Sequence, residues 1–236
     1  MSQPWQLVEA VEHGAGRIEL RRRGERDYLI TLDGRVLMNS AAHLSERALG
    51  ALAVETLTTR SEPHVLVAGL GMAFTLRGAL DGLPRDARVR VVEIETAVHR
   101  WCRGPLRELS GAAVLDPRVQ VEIADVANVL AAVAQGPATE RFDAIALDLF
   151  EGPGLGRRDE DPIFGREGLR QMRDALAPGG VLAVWSEARQ PAFEKRLARS
   201  GFQTRRQRPG RAGLRHAVYV ARLVERGSPR KPVPSR

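Results

Sequence analysis

Three acidic residues stand where acids can do chemistry. Glu93 closes the apolar run Val89-Arg90-Val91-Val92. Asp125 follows the alternating run Val119-Gln120-Val121-Glu122-Ile123-Ala124, and Asp148 follows Phe142-Asp143-Ala144-Ile145-Ala146-Leu147. Upstream, His64-Val65-Leu66-Val67-Ala68 leads into Gly69-Leu70-Gly71. Glycine lets a backbone approach a ligand that a Cβ would strike, and ligands of open α/β sheets sit outside the carboxyl ends of the strands. Gly69 and Gly71 are therefore candidate cofactor-binding positions. Glu93, at the next strand end, can accept hydrogen bonds from both hydroxyls of a ribose. A dinucleotide would call for a third small residue three positions after the second glycine, and Phe74 stands there. Acids at three successive strand ends suit a nucleoside with a cationic tail, of which S-adenosylmethionine is the type. Each feature has a plainer reading. The glycines also fit any tight βα turn, and Asp is a good helix N-cap, so at Asp125 capping and adenine binding look alike in sequence.

These residues need a scaffold, and the pattern supplies one. Short strands are expected at Leu7–Val11, Arg17–Arg22, Tyr28–Leu32 and Val36–Asn39, with Leu32-Asp33-Gly34-Arg35 as a strong hairpin signal. Residues 43–58 alternate helically. Strands near 64–69, 89–93, 119–124, 143–148 and 180–185 then alternate with helices, of which Arg166–Leu176 and Ala192–Ser200 are the clearest. Pro178-Gly179-Gly180 separates the first of these two from the fifth strand, and Gly201 stops the second. Gln203–Arg208 and Arg215–Val224 are expected to pair antiparallel at one edge.

Several of these segments resemble the spermidine synthase family: Val-Val-Glu-Ile-Glu at 91–95, Asp-Pro-Arg-Val at 116–119, Ile-Ala-Asp at 123–125, Phe-Asp-Ala-Ile-Ala-Leu-Asp at 142–148, and Leu-Asp-Gly-Arg-Val at 32–36. The resemblance implies an α/β fold, a methyltransferase-type seven-stranded, mostly parallel sheet with a small N-terminal β-hairpin domain. The expected division is 1–42 for the hairpin domain, 43–225 for the nucleoside-binding domain and 226–236 for a disordered basic tail. By the same resemblance Glu93 binds ribose, Asp125 the adenine amino group, and Asp148 acts on the attacking amine.

The departures bear on the acceptor. The family's Gly-Gly-Gly-Asp-Gly-Gly turn reads Gly69-Leu70-Gly71-Met72-Ala73-Phe74, with Met72 in place of the acid. Its Asp-Ser-Ser-Asp-Pro motif reads Asp148-Leu149-Phe150-Glu151-Gly152, so Glu151 is the second catalytic candidate. The segment Leu37 to Glu46 lacks the family's Gln and Tyr. A polyamine carries several charges, and burying an unpaired ammonium is costly. The nucleoside half of the site thus reads as kept and the polyamine half as rebuilt. The expected function is alkyl transfer, methyl transfer before others, from S-adenosylmethionine or its decarboxylated form to a small-molecule acceptor. Aminopropyl transfer to a polyamine is the alternative. A non-catalytic nucleoside-binding scaffold or sensor is a second.

The remaining features bound this reading. The chain has 236 residues and 43% hydrophobic content, ordinary for a globular protein. Its one cysteine, Cys102, excludes an intrachain disulfide and is expected to be a buried thiol. No apolar run reaches the length of a membrane span and no signal peptide stands at the N-terminus, so a cytoplasmic protein without membrane contact is expected. The charge of +7 could mean nucleic acid. Only Lys195 and Lys231 are lysines, however, and the few aromatics do not interleave with the arginines, which disfavours a nucleic-acid partner. The five histidines show no ligand spacing, so no metal is expected. A homodimer is expected. The Gly-rich segment Gly152–Pro162 is either a cover for the site or a solvated loop. Glu187, after the fifth strand, either joins the ligand face or caps the next helix.

Overall fold

The computed structural model describes residues 3–13, 16–150, 152–153, 161–209 and 216–223. Four strands open the chain: β1 (Gln6–His13), β2 (Gly16–Arg23), β3 (Asp27–Leu32) and β4 (Arg35–Asn39). They form an antiparallel sheet in sequence order. The β3–β4 turn is the Asp33-Gly34 step, where both residues have positive φ (48° and 77°), as tight hairpins require. Asp33 also accepts a hydrogen bond from the Arg17 amide at 2.8 Å, which ties this turn to β2.

The rest alternates. Helix α1 (Leu44–Val54) leads to β5 (His64–Ala68), α2 (Phe74–Gly82), β6 (Arg88–Glu93), α3 (Thr96–Arg103), β7 (Val119–Ile123), α4 (Val126–Gln135) and β8 (Phe142–Leu147). Then follow α5 (Arg166–Ala175), β9 (Leu176–Ser186), α6 (Pro191–Arg199), β10 (Phe202–Gln207) and β11 (Ala217–Leu223). The second sheet has seven strands in the order β10-β11-β9-β8-β5-β6-β7. Strands β5 to β9 are parallel to one another, and β11 is antiparallel to both β9 and β10. So β11 alone runs against the others, and its first residues reach the edge where the parallel strands end.

The central strands are buried on both faces, as parallel sheets flanked by helices must be. Every residue of β8 is buried. One apolar layer holds Val65, Val67, Val89 and Val91 with Leu49, Leu76 and Trp101; the other holds Leu66, Ile145 and Leu147 with Leu130, Leu169 and Phe193. The expected fifth strand is longer than its sequence pattern suggested. Leu176 already pairs with Phe142, the register then shifts, and Val181 pairs with Ala144. Pro178-Gly179-Gly180 is therefore the irregular middle of β9, where Gly179 takes φ +73°. Helix α1 ends at Val54, short of the expected 58. Glu151, most of the Gly152–Pro162 segment and the basic tail lie outside the described residues. Among the described residues no helix is long and apolar enough to cross a membrane.

The N-terminal sheet is anchored on α3. Glu9 of β1 accepts from the Trp101 indole Nε1 at 2.7 Å and pairs with Arg100. The three consecutive arginines Arg21 to Arg23 of β2 are partly neutralised by their neighbours. Arg21 pairs with Glu19 at 2.7 Å and Arg23 with Asp27 at 3.0 Å.

Candidate active site

The strand order reverses between β5 and β8, and in open α/β sheets such a point opens a crevice for a ligand. A cavity of about 440 Å³ lies there. The glycine turn, the end of β6, the chain after β8, the start of α1 and the hairpin β4 line it.

Both glycines line the cavity, and each also gives the turn room on its protein side. A Cβ on Gly69 would stand 2.2 Å from the Asp148 carbonyl oxygen, and φ there is +85°. Gly69 thus lets the chain after β8 close against the turn. A Cβ on Gly71 would stand 2.7 Å from the Met38 Cε, the flexible end of a side chain from β4. Ala73 also takes a left-handed conformation, φ 62°, so three residues of this short turn have positive φ. Phe74, which weighed against a dinucleotide, stacks on His43 at 4.3 Å.

Glu93 ends β6 with 7% exposure. Its Oε2 accepts from the Leu70 amide and its Oε1 from the Glu95 amide, both at 2.8 Å. Burial raises its pKa, against the lowering effect of these two amides. The carboxylate is therefore a brace for the glycine turn as well as a lining group of the cavity. Cys102, buried on α3, donates to the Gly71 carbonyl at 3.2 Å. Burial pushes its thiol pKa far up, which makes it inert.

Asp148 is half-buried at the cavity wall, next to the glycine turn. Burial comes first, the Glu46 charge next, and together with Glu93 they push its pKa up to about 7 against the Thr75 hydrogen bond. Thr75 Oγ1 lies 2.6 Å from Asp148 Oδ2 and 3.1 Å from the Glu46 carbonyl oxygen. Thr75 has a single hydroxyl proton for two acceptors. A protonated Asp148 satisfies all three groups, since it donates to Thr75 while Thr75 donates to Glu46. An ionised Asp148 takes the Thr75 proton instead. The geometry thus gives one carboxyl group two accommodated protonation states near neutral pH.

Glu46 carries no motif, yet it is 6% exposed beside Asp148. Its Oε2 accepts from Ser45 Oγ at 2.6 Å, and Ser45 Oγ lies 2.9 Å from His216 Nδ1. His216 and Glu187 complete the wall on the β9–β11 side. Nothing in the sequence pattern pointed to His216 or Thr75, because the sheet brings them in from remote positions. Charge makes the cavity distinctive. Glu46, Glu93, Glu95, Asp148 and Glu187 line it, with Arg35 as the guanidinium, set over the Phe150 ring at 4.8 Å.

The third strand-end acid is not among these residues. Asp125 is exposed and caps α4, its Oδ1 accepting from the Ala127 amide at 2.8 Å. Met72, at the position of the family's acid, is fully buried, and its amide donates to the Met38 sulfur at 3.1 Å.

Fold and cavity together define an α/β protein of the methyltransferase-like class with an acid-bearing cavity at the switch point of its sheet. The sequence model of the spermine/spermidine synthase domain matches residues 47–208, and the chain belongs to that family. A polyamine aminopropyltransferase of Mycobacterium tuberculosis is 35% identical over 122 residues, covering 51% of this chain and 22% of that protein. One of Aeropyrum pernix is 29% identical over 183 residues, 75% of this chain and 55% of that protein. The match thus spans about half of the latter's length and much less of the former's. The spermidine synthase of Thermotoga maritima superposes with a TM-score of 0.70 at 19% identity, covering 92% of this chain and 72% of that one. A probable spermidine synthase of Corynebacterium glutamicum gives 0.64 at 19%, covering 92% and 80%. At that identity the likeness establishes the fold, including the N-terminal sheet that the domain match leaves out.

Proposed function

We propose that this chain is an aminopropyltransferase, which moves the aminopropyl group of decarboxylated S-adenosylmethionine to a small amine. The observation that carries this reading is the surplus of carboxylates around Asp148. An alkyl transfer to a neutral acceptor needs no such surplus. A cationic acceptor does, because each buried ammonium requires a paired acceptor. The sequence favoured methyl transfer because acids were missing from the family's motifs. Glu46, Glu95 and Glu187 supply acids to the same cavity from other places, and the curated relatives are aminopropyltransferases.

In this reading Glu93 holds the ribose hydroxyls, and Gly69 and Gly71 shape the turn beneath them. Asp125 keeps its cap with one oxygen and offers the other to the adenine amino group. Glu95 faces the donor's ammonium where Met72 cannot. Asp148 takes a proton from the incoming ammonium. The freed nitrogen lone pair forms a bond to the carbon beside the sulfonium, the carbon–sulfur bond breaks, and its electron pair stays on sulfur as methylthioadenosine. The sulfonium is a good leaving group, so the protein's work is positioning and exclusion of water. Glu151 remains a second candidate for the acceptor.

The test supplies decarboxylated S-adenosylmethionine with 1,4-diaminobutane and follows products by mass spectrometry. Methylthioadenosine together with the alkylated triamine is expected. S-adenosylhomocysteine formed from S-adenosylmethionine would instead support methyl transfer. Tight nucleoside binding without any product would support a sensor or scaffold.

A further inference from the structure

His216 has no place in the motifs, and its surroundings give it one. Because β11 runs opposite to its neighbours, its first residue lies at the carboxyl edge of the sheet, where Ala217 pairs with Ser186. His216 therefore sits beside Glu187, two strands along from the end of β8. At about 4.8 Å per strand step, that is roughly 10 Å from Asp148 across the sheet. A four-carbon diamine can bridge such a span when a carboxylate at one end and a nitrogen at the other each accept from it.

The tautomer of the His216 ring follows from its partners. Ser45 Oγ lies 2.6 Å from Glu46 Oε2, an acceptor, and so its single proton is donated there. Ser45 can then only accept from His216 Nδ1, 2.9 Å away. This contact selects the tautomer with its proton on Nδ1, which leaves Nε2 as the acceptor. The edge of the ring packs against Trp185, with centroids 5.0 Å apart, which fixes its direction. Both rings line the cavity. This is the arrangement of a positioned acceptor: packing sets the ring, and a hydroxyl and a carboxylate set the tautomer.

We propose that His216, oriented by Ser45 and Glu46, accepts a hydrogen bond from the far, non-reacting ammonium of a diamine, and so makes the site select diamines over monoamines. Glu46 and Glu187 supply the charge for that ammonium, and Asp148 serves the near one. A monoamine of equal length would leave these acceptors facing an apolar end, which is unfavourable. The inference rests on the aminopropyltransferase reading.

The experiment compares 1,4-diaminobutane with butylamine at saturating decarboxylated S-adenosylmethionine, in the wild type, His216→Phe and Ser45→Ala. Phe keeps the ring against Trp185 and removes both nitrogens, whereas Ser45→Ala frees the tautomer and leaves the ring intact. The expected result is a diamine KM raised about tenfold by His216→Phe and about threefold by Ser45→Ala, with kcat nearly constant. The butylamine KM should move less than about twofold. An unchanged diamine KM, or equal effects on both amines, overturns the inference while leaving the function intact. If the wild type alkylates neither amine, the functional reading fails. Calorimetry of 1,4-diaminobutane with protein holding methylthioadenosine then decides. Weaker binding by His216→Phe than by the wild type keeps the inference, and equal or absent binding overturns it.

Discussion

In the proposed function Asp148 concentrates the chemistry in one side chain. Its carboxyl pKa, pushed up to about 7 by burial and by Glu46, suits a base that works at neutral pH. With the amine acceptor, kcat/KM is expected to rise with pH through about 7 and then flatten. Asp148→Asn should abolish turnover while methylthioadenosine binding, measured by calorimetry, stays nearly intact. The same shift has a sign for stability. The folded pKa lies above the ordinary one, so this group's contribution is present below about pH 4 and is lost as pH rises through about 7. The Asn variant cannot ionise, and its amide can donate to Thr75 as the protonated acid does. It should therefore melt above the wild type at about pH 8, with the gap closing toward about pH 4. A constant difference across that range would detach Asp148 from the linkage.

Glu93 makes the second residue-scale case. Glu93→Ala removes two hydrogen bonds to backbone amides as well as the proposed ribose contact. Methylthioadenosine affinity is expected to fall about tenfold or more. Stability should fall by about 1–3 kcal/mol, because the Leu70 and Glu95 amides lose their partner. Chemical denaturation and calorimetry read the two effects separately. Loss of stability without loss of affinity would make Glu93 a brace only.

The glycine turn is the element that decides how closely the chain after β8 and the hairpin strand β4 approach the end of β5. Its two glycines are not equivalent. At Gly69 the obstacle to a Cβ is backbone, the Asp148 carbonyl, and φ is +85°. At Gly71 the obstacle is the end of the Met38 side chain, and φ is +50°. Gly69→Ala should cost about 2–5 kcal/mol by combined strain and overpacking, and should displace Asp148 from Thr75, with turnover lost. Gly71→Ala should cost about 1–2 kcal/mol, the left-handed penalty, while Met38 moves aside. Urea titrations of both variants measure the difference. Equal losses would show that the approach of the chain after β8 does not constrain this turn.

The whole molecule carries opposed charges on two scales. The chain has a net charge of +7, whereas the charged side chains of its cavity are five carboxylates and the one guanidinium of Arg35. A cation is thus repelled by the molecule at long range and attracted by the cavity at short range. Screening acts on both, and most strongly on groups open to solvent, such as Glu187. Raising salt from about 0.05 M to about 0.5 M should raise the diamine KM severalfold, since the pocket's charges act at the contact itself. Methylthioadenosine, being neutral at its sulfur, should bind with little change. A diamine KM that falls with salt would mean that the positive exterior governs access.

Much of this protein was legible in the chain. The alternation of apolar runs with helical segments set the strand order's raw material, because a parallel sheet needs buried strands joined by crossovers. Asp33-Gly34 set the hairpin, because few other residues accept positive φ. The strand-end acids Glu93 and Asp148 could be found because strand ends and glycine turns leave local marks. Three things needed the tertiary structure. Asp125 could be seen as a cap, outside the cavity lining, only once its oxygen and the Ala127 amide had positions. Glu46 and Glu187 line one cavity although they come from a helix and a strand end that local pattern does not connect. Most of all, β11 reverses direction and so carries His216 to the ligand edge, beside Ser45, which is 171 residues away along the chain. Local spacing encodes elements because their geometry repeats over a few residues. An acceptor pocket is a meeting of elements, and only packing decides which side chains meet.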